Sequence, residues 1–564
     1  MKNSRASAVG WRKSSPTARF AVATNPLLFL SSYLHNRTLA VITSKWRTLL
    51  LRSARESALY GYFAAQTAGG TTDSRTVMLV QSVEDPYYFG LFGLIIRTVR
   101  ALRAPRTEQF VMNSPRVGES KSIPRFIQVR LIDWLSTVKW TGMYGAYCDR
   151  IGYRGGGLRH PLGDAIDLWR AFRSWRRLRS REVLNALAIA GVPAGDLIND
   201  SYLRFKPAPT VELKDPYLWL TIWNAYRQIR RARRYFRRVK PFLYLTSYST
   251  YIQHGIAVRV ALQSGVRVHS FSNYQEFAKQ LTLQDWVHTK NPDAYAEEFA
   301  RLPNQQARLG EAEQALAARI AGAIDATSGY MRKSAYARSA EPVPDVRGAV
   351  VVFLHDFFDS PHVYRDLVFS DFWQWICFTI ETLRDADIRF VLKPHPNQIS
   401  LNGPVFEQLR RRYPTISIIS PEVTNLQLVE AGMACAVTVY GTVAHEMAYL
   451  GIPSIACGHH PHVSFDFCKT AGTREQYADL LRGYRNIEVD KAQMRRQSLA
   501  FFYMHNLNLD PDEQRLRDAV ADYRKAAADS SCAGDELLRS LDAIEALPAF
   551  RRYVRSLTEL GNIP

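Results

Sequence analysis

The chain has 564 residues, 47% of them apolar and 12% aromatic, and its 73 Lys and Arg against 52 Asp and Glu give a formal charge of +21. That composition excludes a mainly disordered chain, and the length calls for several domains, each able to bury a core. The basic excess lies wholly before residue 341, where 50 basic residues stand against 23 acidic ones, so only that part is suited to meet a polyanion or an anionic membrane. Six scattered cysteines (148, 377, 435, 457, 468 and 532) form no C-x-x-C pair. They offer no disulfide framework and point to a reducing compartment. Neither a long apolar span nor a signal-peptide pattern is present, so the expectation is a cytoplasmic protein, soluble or peripheral on the inner face of the membrane.

Residues 1–70 form a basic arm with a single acidic residue, Glu56. Its start reads as disordered. The mixed apolar and basic text from Thr38 to Gln66 reads either as a membrane-surface helix or as a helix packed on the body. After a Gly-Gly-Thr-Thr break, Arg75–Gln81 is a strand, followed by the loop "SVEDPYYFG" and an apolar helix, the opening of a βα unit. An Arg-rich helical stretch fills 155–240. A second unit follows: strand "PFLYLTS", helix "YIQHGIAVRVALQSG" and strand "VRVHSFS". Glu311–Arg338 reads as a helix, and the proline-bearing "SAEPVPDVRG" as the linker.

Beyond the linker, the strands "AVVVFL", "IRFVLK", "ISIIS", "CAVTVY" and "PSIACG" alternate with loops and helices. Short apolar strands in βα alternation specify a parallel, doubly wound sheet. The expected architecture is α/β, with two Rossmann-like domains (71–340 and 341–500) facing a cleft, and helical extensions at 1–70 and 501–564.

In such sheets ligands sit in the loops after the strands. Lys393-Pro-His395-Pro-Asn397 follows one strand directly and offers charge and hydrogen bonds to a phosphate on a loop stiffened by proline. Gly441-Thr442 opens a helix, with close backbone approach at the glycine and a capping hydroxyl at the threonine, and Glu446 stands one turn on to meet ribose hydroxyls. His355, Asp359 and His362 crowd one strand-to-helix connection and offer acid, base or donor groups. In the first half, Asp85 follows a strand and is the candidate base, while Tyr251 and His254 follow another strand. Asn199-Asp200-Ser201-Tyr202 reads as a weaker candidate loop. Gly458-His-His-Pro-His462 lacks the ligand spacing of structural zinc sites, so no metal is expected. The runs at 170–179 and 227–240 read as solvated basic helix faces for a membrane or polyanionic acceptor. No nucleic-acid-binding motif accompanies them.

Taken in order, "FLHDFFDSPH…DFWQW", "LKPHPN" and "GTVAHEMAYLGIPSIACG" resemble bacterial capsule and surface-polysaccharide glycosyltransferases of the GT-B fold. The Lys-x-His-Pro element is similar to the HP motif of Kdo transferases, bacterial sialyltransferases and CDP-glycerol polymerases. The resemblance implies that Lys393 and His395 contact the phosphate of a cytidine-nucleotide donor, that Gly441 and Thr442 form a second phosphate loop, and that Glu446 meets the ribose. It also implies a reaction without a cofactor or bound metal, a nucleotide-activated sugar such as CMP-Kdo as donor, and a glycan or lipid-linked acceptor. A nucleotide-sugar epimerase of the same fold and a non-catalytic membrane- or polyanion-binding scaffold are the alternatives.

Overall fold

A computed structural model of the chain describes residues 51–67, 73–112, 123–156 and 160–559, apart from 330, 332–333 and 337–338. The expected basic arm lies outside these residues up to position 50. Its last part forms α1 (Ala54–Thr67), which buries Leu59 and Phe63 in the body of the protein. That segment therefore packs as a core helix.

The first domain runs β1 (Asp73–Ser82), α2 (Pro86–Arg103), β2 (Pro105–Val111), α3 (Ile123–Tyr144), β3 (Arg150–Arg154), α4 (Pro161–Arg177), α5 (Gly195–Phe205), α6 (Pro216–Val239), β4 (Leu243–Thr246), α7 (Ile256–Gln263), β5 (Arg267–Ser270) and β6 (Lys279–Leu281). Its sheet has the order β3-β2-β1-β4-β5-β6, and only β6 is antiparallel to its neighbour. Met78, Leu79 and Val80 of β1 are fully buried, as a central strand covered on both faces requires.

α8 (Tyr295–Arg301) and α9 (Gln305–Ile320) precede the second sheet in sequence. That sheet is built from β7 (Val350–Phe353), α10 (Phe372–Asp385), β8 (Phe390–Lys393), α11 (Asn402–Arg412), α12 (Asn425–Glu430), β9 (Cys435–Val437), α13 (Val443–Tyr449), β10 (Ser454–Cys457), β11 (Cys468–Ala471) and α14 (Arg474–Arg482). The strand order is β8-β7-β9-β10-β11, all parallel. Of the expected strand "ISIIS", a single bridge from Ile418 to Leu392 forms. Both domains are thus Rossmann-like α/β units, parallel throughout except for β6, as expected from the sequence.

The packing does not break at the expected linker. Phe299, Leu309 and Leu316 of α8 and α9 share a core with Leu499 and Phe501 of α15 (Lys491–Phe502), so this pair belongs with the second half of the chain. The expected helix over 311–338 ends at Ile320. The terminal helices α16 (Pro511–Ala528), α17 (Gly534–Ala546) and α18 (Pro548–Thr558) return to the first domain, where Tyr523, Leu541 and Phe550 pack with Leu59 and Phe92.

One expectation about the basic runs changes. Arg227 and Arg231 of α6 are buried, and with Arg230 they surround the buried Asp164 of α4 at 3.3, 3.2 and 2.6 Å. This part of the run is an internal ion-pair cluster. The exposed basic face is left to Arg234, Arg237 and Arg238 on α6 and to Arg170, Arg173, Arg176 and Arg177 on α4.

Candidate active site

The two sheets point their strand-end loops at one cleft of about 1180 Å³. In the second sheet the chain leaves β7 for β8 on one side and returns to β9 on the other. The crevice at this reversal is where ligands of open α/β sheets bind. The residues there are tied together. His355, just after β7, sets Nε2 3.1 Å from the hydroxyl of Thr438, just after β9. The same hydroxyl accepts from the Gly441 N–H at 3.1 Å. A Cβ on Gly441 would come within 2.7 Å of that oxygen, so the brace needs glycine there. The His355 ring stacks on Phe372 at 4.8 Å, and burial, followed by the neighbouring His395, lowers its pKa to about 3. It is a neutral donor or acceptor.

The β8 loop supplies Lys393 and His395. Lys393 is 2% exposed, and its ammonium donates to the carbonyls of Pro421 at 3.0 Å and Pro394 at 3.3 Å. This holds the charge beneath the loop, where the low dielectric strengthens its field. His395 reaches solvent through the cleft, yet burial by the surrounding walls and then Lys393 lower its pKa to about 4. The backbone N–H of Asn397 donates to its Nδ1 at 3.1 Å. Nδ1 is then the acceptor and Nε2 carries the proton, a neutral N–H donor available to an anionic oxygen.

α13 brings in Glu446, which is buried and accepts from the Tyr336 hydroxyl at 2.7 Å. Burial raises its pKa, opposed by Tyr336 and Arg319. Thr442 does not cap this helix. Its own backbone is helical, with φ −61°, and its side chain makes no cap bond.

Across the cleft, the first domain presents Tyr248, Tyr251, His254 and His288. The strand end before them is fixed by Gln81, whose Oε1 accepts from the Ser247 N–H at 2.9 Å and hydroxyl at 2.6 Å. Tyr251 has φ 59° and opens a π-helical turn, Tyr251–Gly255. Left-handed backbone at a bulky residue and π-turns both concentrate at functional positions. His254 and His288 flank the Tyr248 ring at 5.8 and 5.2 Å, and burial lowers both pKa values to about 3.

Of the residues singled out from sequence, His355, Asp359, Lys393, His395, Gly441, Thr442, Glu446, Tyr251 and His254 all line this cleft. Three do not. Asp85 is a helix cap: its carboxylate accepts from the Tyr87 N–H at 2.7 Å, and it is absent from the cleft wall. His362 turns away to bond Asp200 at 2.6 Å. Asn397 acts through its backbone on His395. The candidate loop at 199–202 is helical and part of α5, where the Ser201 hydroxyl accepts from the Ile252 N–H at 2.8 Å and so positions the π-turn. Thr438, Tyr336 and His288 were missed. A hydroxyl inside the apolar strand "CAVTVY" was the available signal for Thr438, whereas Tyr336 and His288 carry no local signature.

No family model and no curated protein matches the sequence. Among solved structures, similar folds include the UDP-GlcNAc 2-epimerase of Methanocaldococcus jannaschii, with 10% identity over 75% of this chain and 97% of that one and a TM-score of 0.24. The Neisseria meningitidis enzyme of the same name has 9% identity, covers 76% and 97%, and has a TM-score of 0.22. The wall teichoic acid polymerase TagF has 10% identity, covers 88% and 98%, and has a TM-score of 0.20. At these values, function has to be argued from the chain's own residues.

Proposed function

We propose that the chain is a glycosyltransferase of capsule or surface-polysaccharide biosynthesis. It transfers a sugar from a nucleotide-activated donor, a CMP-linked acid sugar such as CMP-Kdo, to a glycan or lipid-linked acceptor. One observation carries this reading: three strand-end loops of one Rossmann-like sheet converge with a helix carboxylate in a cleft walled on the other side by a second such sheet. Lys393 and the Nε2–H of His395 stabilise the charge that develops on the leaving phosphate, a preorganised electrostatic effect that needs no bound metal. Glu446 receives the ribose hydroxyls. The acceptor lies against Tyr251 and His254 on the opposite wall.

The acceptor's membrane surface is the second part of the proposal. Leu162, Ile166, Trp169 and Phe172 on α4 are exposed, with Leu162 83% and Trp169 57% accessible. Exposed Arg170, Arg173, Arg176 and Arg177 interleave with them. Trp134 on α3 is 61% accessible, and α3 contributes Val129, Ile132 and Asp133 to the cleft wall. Apolar side chains rimmed by arginine suit the interface of an anionic leaflet. No helix among the described residues is long and apolar enough to cross a membrane.

The deciding experiment is a thermal-shift panel of CMP, CDP, UDP, GDP and ADP on the wild type and His395→Ala. A ligand at about 100 times its Kd stabilises by about 2.7 kcal/mol. The expected result is a CMP or CDP shift that disappears in the variant. A shift with UDP alone overturns the cytidine donor, and turnover of a UDP-sugar without acceptor identifies an epimerase. A silent panel overturns the enzyme reading.

A further inference from the structure

The loop between β10 and β11 turns into the interior of the second domain. His460 and His462 are fully buried there, and Cys468, at the start of β11, is 4% exposed. The two imidazole rings lie 4.1 Å apart, and the donor atoms of the three residues all fall within 4.8 Å of one another. Neither nitrogen of His462 has a hydrogen-bond partner, and neither does Nδ1 of His460. Burying an imidazole whose N–H and lone pair both go unused forfeits its hydration for nothing in return, which native interiors avoid.

The tautomer of His460 is fixed by its neighbour. The Thr470 hydroxyl donates to the Cys468 carbonyl at 3.4 Å, and its oxygen lies 2.6 Å from His460 Nε2. Nε2 is then the N–H that donates to Thr470, and Nδ1 keeps its lone pair, with no hydrogen-bond partner. A second hydrogen bond that fixes the tautomer in this way is the usual support of a metal-ligating histidine. Phe467 stacks on His462 at 5.3 Å, and Phe501 meets the same ring edge-on at 5.6 Å, so the surroundings are apolar.

We propose that His460 Nδ1, His462 and Cys468 Sγ supply three ligands to one zinc-class divalent cation, which clamps the β10–β11 loop to the sheet. Two imidazoles and a thiolate are the donor set that selects zinc among common cations. Binding expels the Cys468 proton to solvent, and the ion draws its donors in to Zn–N and Zn–S distances of roughly 2.1 and 2.3 Å. The spacing of the motif hid this from a sequence reading. His460 and His462 come from one loop, whereas Cys468 is brought beside them by the parallel pairing of β10 with β11.

None of the three residues lines the cleft, so the ion is separate from the chemistry proposed there. The test uses the full chain, freed of any affinity tag and purified without chelator, with metal measured by plasma mass spectrometry. The expected content is about one zinc per chain, falling to background in Cys468→Ser and His462→Gln and unchanged in His395→Ala. Should those variants fail to fold, the wild type alone decides. After metal removal and Co²⁺ loading, it must show a thiolate-to-cobalt charge-transfer band. A chain that holds less than about a tenth of an equivalent after dialysis against Zn²⁺, or a cobalt spectrum without the thiolate band, overturns the site.

Discussion

His362 of the second domain and Asp200 of the first meet across the interdomain boundary, Nδ1 to Oδ1 at 2.6 Å, and both side chains are nearly closed to water. Burial by itself drives the histidine pKa down. The charge and hydrogen bond of Asp200 together with the charges of Asp196 and Asp371 outweigh it, and His362 is held above its usual range. The pair therefore joins the domains behind the cleft as a charge-assisted hydrogen bond.

The sign of its pH dependence follows. A histidine whose folded pKa is raised contributes its stability in full below the unfolded value of about 6.5 and loses it as pH rises through the raised value. A double-mutant cycle of His362→Gln and Asp200→Asn, read by thermal or urea unfolding, should give a coupling of about 1.5–3 kcal/mol in mildly acid solution that shrinks toward alkaline pH. Coupling that is flat across this window, or that grows with pH, contradicts the pairing.

Glu446 and His395 divide the donor between them, and the division can be measured. Glu446→Ala should weaken cytidine and CMP by the same factor, because both carry the ribose. The loss of hydrogen bonds to a charged acceptor amounts to about 1.5–3 kcal/mol, roughly 10- to 150-fold in Kd. His395→Ala should weaken CMP and leave cytidine untouched. Calorimetric titration of the two ligands against the two variants reads both effects. If His395→Ala weakens cytidine as much as CMP, the histidine does not serve the phosphate.

How much of this was legible in the sequence differs from residue to residue. Lys393 and His395 stood out because charged or titratable residues at the end of an apolar strand have few structural uses, and Gly441 and Glu446 because they open a helix at such a strand end. β2 was invisible for the opposite reason. Its text, "PRTEQFV", reads as polar, yet Glu108 is fully buried, where Arg106 and Arg150 reach it at 3.0 and 2.6 Å and the Tyr235 hydroxyl at 2.8 Å. Hydrophobic periodicity cannot detect a strand whose buried charge is satisfied largely by residues such as Arg150 and Tyr235, distant in sequence. Asp85 misled in the same way. A carboxylate at a strand end before proline is equally a base or a cap, and only the three-dimensional position of its neighbours separates the two. The terminal helices carried no chemistry to read, and their role is architectural.

That architectural role rests on one close approach. A Cβ on Gly90 of α2 would fall 1.9 Å from the Tyr523 hydroxyl of α16, which donates to the Pro86 carbonyl at 3.0 Å. Gly90→Ala should push Tyr523 out and loosen α16–α18 from the first domain, lowering stability by about 1–3 kcal/mol. Limited proteolysis with mass spectrometry should then show new cleavage after residue 503. A variant with wild-type melting temperature and an unchanged digestion pattern rules out this docking.

The exposed face of α4 makes the membrane proposal quantitative. Leu162, Ile166 and Trp169 recur at helical spacing, and the guanidinium of Arg173 lies 4.6 Å from the Trp169 ring centroid, so the aromatic and its cation present one amphipathic surface. Burying a side chain of this size in the interface is worth about 1.5–3 kcal/mol. Trp169→Ser combined with Leu162→Ser should therefore cut binding to vesicles containing anionic lipid by at least about tenfold while leaving the nucleotide thermal shift intact. Neutral vesicles should bind weakly even to the wild type, because each exposed arginine contributes about 1 kcal/mol only against a negative surface. Co-sedimentation of the full chain with both kinds of vesicle separates the contributions. Equal binding to neutral and anionic vesicles removes the electrostatic part of the proposal, and a double variant that sediments like the wild type moves the contact off α4.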